Sequence, residues 1–122
     1  MSKFIKIIFL VILNFSLVFS FSAKASEKIK IGLMVPLTGS NKDLGQSIIK
    51  AVRLAVKDID NNSIEIIPKD TASKANKALK SAFELKQMGV KVVIGPVFHE
   101  SISYLDEIED ITFLSLTNKT LD

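Results

Sequence analysis

Residues 29–36 read Ile-Lys-Ile-Gly-Leu-Met-Val-Pro, and the fold turns on this stretch. After Lys30 the run is continuously apolar, and a proline closes it. A strand with one wet face would alternate. An unbroken run fits a strand buried on both faces, as at the centre of a parallel sheet with helices on either side. Working outward, residues 37–43, with Thr38, Gly39, Ser40 and Asn41, supply the exit loop. The spacing then predicts a helix over 44–59. Leu44, Ile48, Ala51 or Val52, Ala55 and Ile59 fall on one stripe, while Lys50, Arg53 and Lys57 face away. Asp60, Asn61 and Asn62 end it.

Residues 63–68, Ser-Ile-Glu-Ile-Ile-Pro, alternate at their start and predict a second strand, with Lys69, Asp70 and Thr71 as its exit loop. Ser73 is placed to cap a second helix whose Ala75, Ala78, Leu79, Ala82 and Leu85 share a face. Gly89 suits the left-handed position that closes such a helix. Residues 90–95 hold Val92-Val93-Ile94, a third strand, with Pro96 just beyond. Residues 101–110 put Ile102, Leu105 and Ile108 on one helical face, and residues 112–116 form a fourth strand. The order βαβαβαβ predicts an α/β fold of three layers, a parallel sheet between helices with right-handed crossovers.

Ahead of this domain, Lys3 and Lys6 precede the uncharged apolar residues 7–13, and the run weakens through Asn14, Ser16, Ser20 and Ser22 to Ala23-Lys24-Ala25. A basic start, an apolar centre and small residues at −3 and −1 make a secretory signal peptide over 1–25, cleaved before Ser26. The domain is then 26–122, and it works outside the cytoplasm. The competing reading is an uncleaved anchor, because the uncharged stretch approaches the ~17 to 25 residues of a spanning helix. The chain has no cysteine, so neither a lipidated cysteine nor a disulfide scaffold is available.

The formal net charge is +3, yet Lys3, Lys6 and Lys24 all lie in the leader and no acidic residue does. The mature chain is therefore neutral. Nothing in its charge favours nucleic acid or an anionic membrane, and contact with a membrane is expected only through the leader before cleavage.

In a sheet of this kind ligands sit at the carboxyl ends of the strands, near the point where strand order reverses. Those ends are residues 38–41, 69–71, 96–100 and 117–119. His99 is the only histidine, so no pair of histidines can hold a metal and no cysteine–histidine dyad can form. His99 and Glu100 offer a donor and an acceptor at a strand end. Equally, His99 is a solvated loop residue and Glu100 favours the next helix start through its dipole. Asp70 either accepts from a ligand ammonium or ties down its own turn, and the turn role is the one adopted.

Gly39 to Ser47 resembles a phosphate loop only loosely: five residues separate Gly39 from Gly45, and Gln46 stands where a lysine would reach the phosphates. The acidic residues Asp106, Glu107, Glu109 and Asp110 read as a solvated helix face. No nucleophile sits on a G-x-S-x-G turn. The expectation is a non-enzymatic chain with no cofactor, no metal and no catalytic residue.

Taken together, "KIKIGLMVPLTGSNKDLGQSIIKAVRLAVKDID", then "IEIIPKDTASKANKALKSAFELKQMGVKVVIGPVFHES", then "ITFLSLTNKT" resemble the first lobe of type I periplasmic binding proteins. P-L-T-G, the D-T after the second strand, V-I-G-P and S-L-T-N follow one another in the family's order. The family includes branched-chain amino-acid binders and the activator domains of penicillin-binding proteins. The resemblance implies a periplasmic protein with two lobes and a cleft between them, of which this chain supplies the opening part of one lobe. It also implies a binding site drawn from the loops after the third and fourth strands, here His99, Glu100 and Ser101 with Thr117 and Asn118.

Amino-acid binders of this type carry small residues, serine above all, in the first of these loops, where this sequence has Phe98-His99-Glu100. G-P-V-F-H-E followed by S-L-T-N is closer to the activator branch. That branch implies a penicillin-binding protein as partner, in peptidoglycan assembly. The alternative is the substrate-binding component of an ABC transporter, which delivers an amino acid or similar small polar ligand to a permease.

Overall fold

The computed structural model describes residues 2–8, 26–60 and 62–117. Residues 2–8 are helical and exposed, while the rest of the stretch expected to be a leader, including Ala23-Lys24-Ala25, lies outside the described residues. Among the described residues no helix is long and apolar enough to cross a membrane.

The elements run β1 (Ile29–Val35), α1 (Lys42–Ile59), β2 (Ile64–Asp70), α2 (Ala75–Gln87), β3 (Val92–Ile94), a 3-10 turn (His99–Ser101), α3 (Ile102–Leu105) and β4 (Thr112–Leu114). All strand pairs are parallel, in the order β2-β1-β3-β4. The α/β reading holds. The unbroken run 31–35 is the central strand, paired with β2 from Ile29↔Ile64 to Val35↔Asp70 and with β3 from Ile31↔Val92 to Leu33↔Ile94.

Because strand side chains alternate, β1 feeds two cores. Leu33 and Val35 join Ile49 of α1, with Ile48, Val52, Ile66 and Ile94 at the margin. Met34 points the other way, into Ala78, Ala82 and Leu85 of α2, with Val93, Leu105 and Ile108. Helices thus cover both faces, α1 on one and α2 with α3 on the other. Gly32 lets α2 approach closely, since a Cβ there would stand 2.7 Å from Leu85 Cδ1 and 2.9 Å from Val93 Cγ2. Lys69 on β2 and Glu84 on α2 form an ion pair at 2.7 Å.

Several local expectations are corrected. Helix α1 starts at Lys42, and its buried line runs through Gly45, Ile49 and the half-buried Ile48, Val52 and Val56, so the expected stripe is rotated by about one residue. Leu44 is 44% exposed and Ile59 60%. The cause is the contact of Gly45 with the carbonyl of Pro36, which fixes the side of the helix that meets the sheet. Strand β2 continues through Lys69 to Asp70, which the reading had assigned to the exit loop. Ser73 does not cap α2: its φ is 57°, the N-cap position is Lys74, and no side chain caps the helix. Gly89 does take the left-handed conformation, at φ 79°. The third helix shrinks to the 3-10 turn and one turn of α, and β3 and β4 keep three residues each.

Candidate functional site at the carboxyl ends of the strands

From β1 the chain moves to β2 on one side, and from there it crosses to β3 and β4 on the other. Strand order therefore reverses between β1 and β3, and the loops leaving these two strands part to leave a crevice. Here lies a groove of about 530 Å³ lined by Leu44, Val97, Phe98, His99, Glu100, Leu116 and Thr117.

The course of the β3 exit loop follows from backbone geometry. Gly95 has a φ of 116°, and a Cβ on it would meet the carbonyl oxygen of Met34 at 2.5 Å, so only glycine fits between β1 and the turn into Pro96. The Gly95 N–H donates to Leu114 O at 2.8 Å, and the Leu116 N–H donates to Pro96 O at 3.0 Å. These bonds carry the β3–β4 pairing past the ends of the strands and set Thr117 beside the β3 exit loop.

Of the residues expected at the site, His99, Glu100 and Thr117 are brought together at this groove. His99 Nδ1 lies 3.1 Å from Glu100 Oε2, with the imidazole one-third exposed and the carboxylate two-thirds. Ser101 is buried beneath them, its N–H donating to Phe98 O at 3.1 Å, and does not line the groove. The Thr117 N–H donates to Ser115 Oγ at 3.3 Å. Asn118 and Lys119 lie outside the described residues. Phe98, Leu44 and Leu116 are groove residues that the strand-end pattern does not mark as binding, and Leu44 falls on the expected apolar stripe of the first helix.

Asp70 has the role of a turn residue, and more. Its Oδ1 accepts from the N–H groups of Leu37 (2.8 Å), Thr38 (3.2 Å) and Ala72 (2.8 Å), and its Oδ2 accepts from the Thr38 hydroxyl at 2.6 Å. Desolvation pushes this carboxyl up. The Thr38 hydroxyl and the three backbone donors outweigh it, and hold the pKa at about 2 against an ordinary 3.8. A carboxylate so engaged is a structural anchor.

A second depression of about 400 Å³ lies on the α2–α3 side, lined by Pro96, Ile102, Leu105, Asp106, Phe113, Ser115 and Thr117. Among the described residues no three His, Cys, Asp or Glu side chains converge as a metal site would require.

The model of the family described as "Periplasmic binding protein" matches residues 28–117. The chain belongs to the periplasmic binding protein family. Solved structures of type I members share its fold. One is a solute-binding protein of an ABC transporter from Rhodopseudomonas palustris BisB5 in complex with 3,4-dihydroxybenzoic acid. It is 28% identical with a TM-score of 0.60, over 65% of this chain and 23% of that one. A second is the C-domain of LpoA from Haemophilus influenzae, a regulator of PBP1A, at 26% identity and TM-score 0.60, over 70% of this chain and 27% of that one. A third is the leucine-binding protein LivK from Thermotoga maritima, at 21% identity and TM-score 0.63, over 71% and 27%. The chain thus spans about a quarter of the length of these periplasmic binding proteins. No curated protein sequence matches it.

Proposed function

We propose that this chain forms a wall of the cleft in an exported, non-enzymatic periplasmic binding protein of the regulator kind, acting on a penicillin-binding protein in the cell envelope. In this reading residues 1–25 are the cleaved leader and 26–122 belong to the first lobe. His99, Glu100 and Thr117, with Asn118, face the partner, while Ser101 supports the turn beneath them. The observation that carries it is the β3 exit loop. Phe98, His99 and Glu100 stand at the groove, with the imidazole and carboxylate 3.1 Å apart, where amino-acid binders carry small residues. A bulky ring and an acid there leave little room for a ligand carboxylate and repel its charge. The same groups suit the polar rim of a protein interface around an aromatic anchor.

The alternative is the substrate-binding component of an ABC transporter, supported by the 28% identity to a solute-binding protein caught with an aromatic acid. Thermal melts of the natural gene product separate the two. A ligand at about 100 times its Kd stabilises by ~2.7 kcal/mol. Leucine and benzoate are expected to leave the melting temperature unchanged. A clear shift with either, lost in Thr117→Ala, selects the transporter reading.

A further inference from the structure

The loop after β1 is held from behind, on the side away from the groove. Leu37 and Thr38 donate three hydrogen bonds to the Asp70 carboxylate, across more than thirty residues of sequence. Asn41 Nδ2 donates to Ser73 Oγ at 3.0 Å, and the Thr71 N–H donates to Val35 O at 3.0 Å. The turn that offers these partners is unusual, because Ala72 and Ser73 both have positive φ, 45° and 57°. Asp70 holds that turn too, through the Ala72 N–H. One carboxylate thus joins two loops, and the loop it fixes leads directly into Lys42–Ile59, whose first turn places Leu44 in the groove wall.

We propose that Asp70 is a positioning residue for the groove: it touches nothing bound there, but sets where the 37–41 loop and the first turn of α1 stand relative to Val97–Glu100. The inference rests on the reading of the groove as the binding face. Its local part, the anchoring of the loop, stands apart from any partner. The physical reason is that Gly45 against Pro36 limits how close α1 comes to the sheet and Asn41 ties the far end of the loop to Ser73, while the Asp70 carboxylate takes the backbone N–H groups of Leu37 and Thr38 at its start. Hydrogen bonds to a carboxylate are short and directional, and fix the loop on one side.

The test uses the natural gene product in four forms: wild type, Asp70→Ala, Asp70→Asn, and Val93→Ala as a control destabilised in the core far from the loop. Hydrogen exchange followed by mass spectrometry should show peptides covering residues 37–41 opening about tenfold faster in Asp70→Ala, with residues 31–34 keeping their protection. Asn retains an acceptor for the backbone donors, so Asp70→Asn should return most of that protection. Binding to the purified periplasmic part of the cell's penicillin-binding protein should weaken about tenfold in Asp70→Ala, recover in Asp70→Asn, and stay within about twofold of wild type in Val93→Ala. Equal exchange at 37–41 in wild type and Asp70→Ala overturns the proposal. So does an affinity that falls in step with melting temperature across all variants. If wild type fails to bind while the exchange pattern appears, the functional reading falls and the anchoring role stands.

Discussion

Gly45, in the first turn of α1, sits against the carbonyl of Pro36 so closely that a Cβ on the glycine would overlap the carbonyl oxygen and carbon. This contact joins the end of the central strand to the helix that follows it, and turns α1 so that Ile49 and not Leu44 meets the sheet. In an open helix Gly→Ala would stabilise by about 1 kcal/mol. Here the sign reverses, because the clash is with backbone and the helix must move. Gly45→Ala is expected to destabilise by about 2 kcal/mol in denaturant melts, the range of overpacked sites. A stabilised variant would mean that the helix stands further off than described.

The core on the α2 side predicts a sharp contrast between two leucines. Leu85 is fully buried among Met34, Val90 and Val93, whereas Leu54 on α1 is 60% exposed. Leu85→Ala should cost about 3 kcal/mol of unfolding free energy. Leu54→Ala should change it by about 0.5 kcal/mol or less. Equal effects would contradict the helix orientations.

Asp70 gives a pH signature with a defined sign. Its folded pKa, about 2, lies below the ordinary 3.8, so folding favours the ionised form. The stabilisation is complete above the unfolded value and is lost as pH falls from 3.8 towards about 2. Its donors, the Thr38 hydroxyl and three backbone N–H groups, do not titrate in this range. The stability difference between wild type and Asp70→Asn should therefore be flat from about pH 7 to pH 5 and shrink towards pH 2. A difference that stays constant through the acid range would show that folding does not favour the ionised form of Asp70.

The sequence disclosed the architecture because its signals are local. The apolar run 31–35, the helical spacing of Ala78, Ala82 and Leu85, and the glycines and prolines at strand ends each act over a few residues. What it did not disclose depends on distant partners. The rotation of α1 is set by Gly45 meeting Pro36, and periodicity alone could not choose between neighbouring stripes. Asp70 was rightly read as a turn anchor, but its reach to Leu37 and Thr38 requires β1 and β2 to be paired in register. Ser73 looked like a cap because it precedes a helix. Its positive φ turns the side chain to Asn41 instead. Leu44 was legible as apolar, and only the sheet's switch point makes it a groove residue.

The edge of the sheet predicts how residues 26–122 behave when expressed alone. Among the described residues β4 pairs only with β3, and Leu114 at its end is 52% exposed and Leu116 just beyond it 45%. An open, apolar edge strand templates pairing with another chain. Sedimentation velocity should show concentration-dependent association, and thermal melts should be broad. A monodisperse monomer with a sharp transition would show that the β4 edge is protected.

The groove between the β1 and β3 loops is the face proposed to meet a protein partner. Calorimetric titration of the natural gene product with the periplasmic part of the cell's penicillin-binding protein tests this most directly, using wild type and a Phe98→Ser/His99→Ser variant. Wild type should bind saturably, and the double substitution should weaken binding about tenfold or more, as for loss of an aromatic anchor, with the melting temperature of the free protein nearly unchanged. No binding by wild type, or equal affinity in both forms, would contradict it.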